Sequence, residues 1–99
     1  MIIMDESWVS GLLFNRMLRV QLTNEELIFS VVLVRRVIAR IPLSKISNVE
    51  LISGFFSKVI VTYFDRFDNF KVIDFNTSNY LQWGTSFQNL GITVKAPNK

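Results

Sequence analysis

The sequence predicts a mainly β domain, with seven short strands in meander order closed by one C-terminal helix. Three observations predict it. Apolar residues alternate with polar ones at Leu18, Val20 and Leu22, and again from Val37 to Leu43, the period of a strand with one buried face. Clusters of turn-forming residues, Thr23-Asn24-Glu25 and Asp65-Arg66-Phe67-Asp68-Asn69, separate the apolar runs. Only near the end does the period lengthen. Tyr80, Trp83, Phe87 and Leu90 recur at helical spacing, and Gly91 sits where a C-cap glycine belongs.

Taken in order, residues 8–14 form the first expected strand and 18–22 the second. Residues 27–34 follow as a run largely apolar on both faces, with Leu27, Phe29, Val31 and Leu33 on one and Ile28, Ser30, Val32 and Val34 on the other. In residues 36–43, Val37, Ala39, Ile41 and Leu43 are the expected core set, and Arg36, Ile38 and Arg40 the outer set. Pro42 lacks an N–H, so the ladder should stop there. Ser44-Lys45 is a polar step between sheets. The spacing of Ile46, Val49 and Leu51 slips from three to two, which predicts a bulge near Ser47-Asn48. Ser53-Gly54 breaks the pattern, and strands at 58–64 and 70–75 flank a polar hairpin at 65–69. Thr77 or Ser78 is the expected N-cap of the helix. Gly84 lies mid-helix, where glycine costs about 1 kcal/mol against alanine, so close approach to a strand or ring is its expected reason. Residues 96–99 are expected to fray.

Composition bounds the rest. A chain of 99 residues, 49% apolar, makes one domain (1–99, core about 9–92, short tails at both ends) and rules out disorder. There is no cysteine, hence no disulfide, thiolate metal site or cysteine nucleophile, which suits a cytoplasmic setting. There is no histidine, so serine–histidine and cysteine–histidine mechanisms are impossible within one chain. No secretory signal or spanning helix is expected. Charge is uneven. Residues 16–45 hold six basic groups against Glu25 and Glu26, whereas the remainder sums to −1.

The segments Leu22-Thr23-Asn24-Glu25-Glu26-Leu27-Ile28-Phe29 and Ile41-Pro42-Leu43-Ser44-Lys45-Ile46-Ser47-Asn48-Val49, with Trp83 in the closing helix, give the chain a resemblance. It resembles the bacterial pleckstrin-homology-like (PH-like) domains and their GRAM-type relatives over about residues 9–92. The resemblance implies a barrel of two near-orthogonal antiparallel sheets, four strands and three, with the helix plugging one end. Lipid-binding members carry a lysine in the first strand and a basic-x-arginine pair in the second. Here the nearest match is Arg16-Met17-Leu18-Arg19, with two spacers and no preceding lysine, so phosphoinositide binding is not the expectation.

The expected function is a non-enzymatic protein-interaction or self-assembly module, its partner a second copy or another chain. Its candidate face is Arg19, Ile28, Val32, Val34, Arg36, Ile38 and Arg40. The alternative is an anionic-lipid or membrane-surface binder, with Phe55, Phe56 and Lys58 in contact. No catalytic, cofactor or metal residues are assigned. Asp65, Asp68 and Asp74 are the only polar candidates, and the first two are turn residues. Nucleic acid is not an expected partner, since charge is low and no basic face is interleaved with aromatics.

Overall fold

The computed structural model describes residues 1–11 and 14–95; part of the first expected strand (12–13) and the tail at 96–99 lie outside the described residues. Among the described residues, eight strands and one α-helix follow in order: β1 (Ile2–Gly11), β2 (Phe14–Thr23), β3 (Glu26–Val31), β4 (Arg36–Pro42), β5 (Ile46–Ile52), β6 (Lys58–Phe64), β7 (Phe70–Asn76), α1 (Tyr80–Asn89) and β8 (Val94–Lys95). They form one open sheet in the order β4-β3-β2-β1-β7-β6-β5-β8. All neighbours are antiparallel except β8, which runs parallel to β5. Among the described residues, the halves on either side of β1 and β7 meet through one bridge, Ser10 to Asn76. Gly11 lies next to that junction, where a Cβ would fall 2.5 Å from the Asp74 carbonyl oxygen, so only glycine lets the chains cross so closely.

Several expectations are corrected. The sheet has eight strands rather than seven and is open rather than a closed barrel of four strands and three. The first strand starts at Ile2, so there is no N-terminal tail up to residue 8. The third strand ends at Val31, and residues 32–35 turn the chain. The segment after the helix adds a two-residue strand to the β5 edge, with the Val49 N–H donating to the Thr93 carbonyl. Val37, expected in the core, is exposed, because a bulge at Ile38 shifts the β3–β4 register between Phe29–Ala39 and Ser30–Val37.

Other expectations hold. Leu18, Val20, Leu22, Leu27, Phe29 and Ile41 are buried, as the alternation requires. Ser47 is the extra residue of a bulge between the Ile46–Tyr63 and Asn48–Thr62 pairs. Residues 43–45 make one 3-10 turn after Pro42. The Leu43 N–H donates to the Glu25 carbonyl, which fixes the phase of the β3–β4 ladder. Residues 40 and 42 then point their backbone groups to the open edge, where proline's missing donor costs nothing. At 65–69 the Asp65 carboxylate accepts from the Phe67 and Asn69 N–H groups, closing the turn.

One core unites both halves. Val9, Leu18, Val20 and Phe29 meet Val49, Val59, Val61 and Phe75, and α1 adds Trp83 and Phe87. Trp83 stands edge-on to Phe75, ring centroids 5.1 Å apart. Gly84 is buried against β5, and a Cβ there would fall 2.6 Å from Leu51 Cδ1, so the helix lies as close as glycine allows. The helix ends in a Schellman motif: the Gly91 N–H donates to the Gln88 carbonyl and the Ile92 N–H to that of Phe87, with Gly91 left-handed at φ +84°. Its N-cap is Asn79, not Thr77 or Ser78. The Thr77 hydroxyl accepts from the Asn79 N–H itself, two residues too early to cap the helix. No described helix is long and apolar enough to cross a membrane.

Candidate functional site

A groove of about 920 Å³ opens where β1, the start of β2, the β5–β6 loop and the end of β7 converge. Trp8, Phe55 and Phe56 line it beside Arg16 and Lys58, with Asn15, Asn76 and serine hydroxyls between them. The aromatic rings are wet: Trp8 is 56% exposed, Phe56 71% and Phe55 96%. Phe55 and Phe56 stack edge to face, centroids 5.1 Å apart, so the loop presents a preformed aromatic pair.

Backbone irregularity creates this surface. Along β1, Met4 and Glu6 turn inward, and simple alternation would put Trp8 inside as well. Trp8 instead occupies a bulge between the Ser7–Arg19 and Val9–Leu18 pairs, at φ +64°. The extra residue resets the phase, so Val9 is buried and the indole is released to the surface. Arg16 opposite is also left-handed, at φ +56°, in the next irregular stretch of the same ladder, between the Val9–Leu18 and Gly11–Phe14 pairs. There the Ser10 hydroxyl accepts from the Arg16 N–H at 2.9 Å and donates to Asn15 Oδ1 at 3.1 Å, replacing lost ladder bonds. A left-handed conformation is uncommon for a bulky residue, and two of them face one groove.

Glu6 is the single acid among the lining residues, and its carboxylate is fully engaged. Both oxygens accept from the Thr77 hydroxyl, at 2.7 and 2.8 Å, and Oε1 also accepts from Trp83 Nε1 at 2.8 Å. The groove therefore offers two cations and three rings over a floor whose one negative charge is tied to the helix. Sequence reasoning found Phe55, Phe56 and Lys58 but missed Trp8, Arg16 and Glu6. The contrast of an exposed Trp8 with a buried Trp83 has no local signature.

The face expected for protein contact is distributed differently. Arg19 forms a bidentate pair with Asp5, at 2.7 and 2.9 Å, and Arg40 pairs with Glu26. The Arg19 hydrogen bond holds the Asp5 carboxyl below the usual range. Ile28 and Val32 are half-buried, and Ser30 between the outer positions is buried. Val34, Arg36, Ile38 and Arg40 are exposed, Val34 beside Leu33 in the β3–β4 turn and the other three along β4. No group of acidic side chains among the described residues has metal-ligand geometry. A scan against protein-family models and a search of curated proteins each return no match.

Proposed function

We propose that this chain is a non-catalytic binding module of PH-like architecture that docks its groove end on anionic membrane surfaces, such as the cytoplasmic leaflet. The observation that carries the reading is the co-location of Trp8, Phe55 and Phe56, all exposed, with Arg16 and Lys58 around one opening. Fully burying an aromatic ring is worth about 1.5–3 kcal/mol. Each cation near an anionic surface adds about 1 kcal/mol. Set against the cost of immobilising the molecule, these terms give reversible, salt-sensitive association rather than permanent anchoring. The PH-like part of the reading is supported by the strand order from β4 to β5, by the Ser10–Asn76 bridge that joins the halves and by the packing of α1 on β5, β6 and β1.

A second reading, a protein partner or self-assembly, is supported by Val37 and Ile38, exposed beside Arg36 on the open β4 edge. Sedimentation with vesicles of phosphatidylcholine and increasing phosphatidylserine separates the two. Membrane docking requires binding that grows with phosphatidylserine and fades with salt. It is refuted if the chain stays in the supernatant at low salt. Light scattering showing a concentration-dependent oligomer would favour the second reading.

A further inference from the structure

We infer that the hairpin joining β3 and β4 is a second membrane anchor, whose apex Leu33-Val34 enters the lipid headgroup layer alongside the Phe55-Phe56 loop. The inference rests on the membrane reading of the groove and adds a separate element to it. Leu33 is 66% exposed and Val34 68%. Nothing in the fold requires them there. Tight turns favour glycine, asparagine, aspartate and proline, whereas Val32-Leu33-Val34-Arg35 contains none of them. Arg35 even takes the left-handed position, φ +51°, that glycine or asparagine would occupy at lower cost. A local choice that opposes local preference, with no packing gain, points to a use outside the fold.

Position and charge name the occupant. The Val32 N–H donates to the Met17 carbonyl at 2.8 Å, which ties the turn beside Arg16, a residue of the groove wall. The Leu18–Val31 register sets the turn that carries Leu33 and Val34 next to the groove end of β2, at Met17 and Arg16. Arg35 and Arg36 follow the apex at once and join no ion pair among the described residues. Residues 27–49 contain no acidic side chain. An apolar tip collared by unpaired cations is complementary to an anionic lipid surface, the tip entering the acyl boundary and the arginines meeting the phosphates. A second copy would bring the same cations face to face. Two anchored projections fix the tilt of the molecule, whereas one would leave it free to swing.

The absence of native cysteine makes the test direct. Single spin labels are placed through Leu33→Cys, Val34→Cys, Phe56→Cys and, on the exposed helix face, Gln88→Cys. Accessibility to dissolved oxygen and to an aqueous nickel chelate is read with and without phosphatidylserine-containing vesicles. Labels at 33, 34 and 56 should gain oxygen and lose nickel accessibility on adding vesicles, and the label at 88 should change neither. Leu33→Asp with Val34→Asp should weaken vesicle binding about tenfold at unchanged melting temperature. Immersion at 56 without any change at 33 or 34 overturns the hairpin inference and leaves the groove reading intact. No immersion anywhere, with no sedimentation, refutes the groove reading. Burial of the 33 and 34 labels with rising protein concentration alone assigns the hairpin to a second copy and overturns the inference.

Discussion

At the scale of single residues, Glu6 joins the two ends of the chain. Its carboxylate holds Trp83, 77 positions away, and Thr77 at the lead into the helix. Glu6→Ala strands a buried indole N–H and a buried hydroxyl, which costs about 1–3 kcal/mol. Urea denaturation should show that loss, and Trp83→Phe in the Glu6→Ala background should add less than it does alone. Gly84 makes a different kind of contact. Gly84→Ala gains about 1 kcal/mol of helix propensity but drives a methyl into Leu51, and overpacking costs about 1–3 kcal/mol. We expect a net loss of about 1 kcal/mol, relieved when Leu51→Ala makes room. Equal losses in both backgrounds would show that the close approach is not what selects glycine.

At the scale of elements, β4 separates core from surface. Ile41 is buried and Ile38 stands out at the bulge. Ile41→Asp should abolish the folded circular dichroism spectrum, and Ile38→Asp should leave it intact; equal disruption would refute the facing. These features were readable because each leaves a short-range trace: alternation for Ile41, slipped spacing for Ser47, and turn chemistry for the 65–69 loop. What was hidden depends on distant partners. Residues 32–34 look like strand, and only the return of β4 makes them a turn. Trp8 looks like an inward strand residue, and only the phase reset that buries Val9 exposes it. The pairing of Val94 and Lys95 with β5 is two residues long, too short for any period. Glu6 reads as a solvated charge until the helix arrives above it.

At the scale of the whole molecule, acid acts through the Asp5–Arg19 pair. The Arg19 hydrogen bond, reinforced by its charge, depresses the folded-state pKa of Asp5. That pair therefore stabilises the fold above the unfolded aspartate pKa of about 3.9 and loses its contribution as pH falls through the lower folded value. The gap in melting temperature between wild type and Asp5→Asn should be constant near neutrality and close below about pH 4. A gap that widened on acidification would reverse the sign of the interaction. The open β4 edge carries Pro42, a bulge and two arginines, all devices that discourage strand-to-strand association. Removing the charges with Arg36→Val and Arg40→Val should raise aggregation on heating without lowering solubility in the cold.

The division between one sealed indole and one wet indole makes the molecule its own optical instrument. Trp83 is fully buried and hydrogen-bonded, so its emission should be blue-shifted, resistant to iodide and sensitive to unfolding. Trp8, on the groove rim, should emit to the red and be quenched freely. A ligand or surface that fills the groove will move the second signal while leaving the first at rest, and denaturation will move both. Occupancy and integrity can thus be followed at once in the unlabelled wild-type chain, with Trp8→Phe and Trp83→Phe to assign the two components.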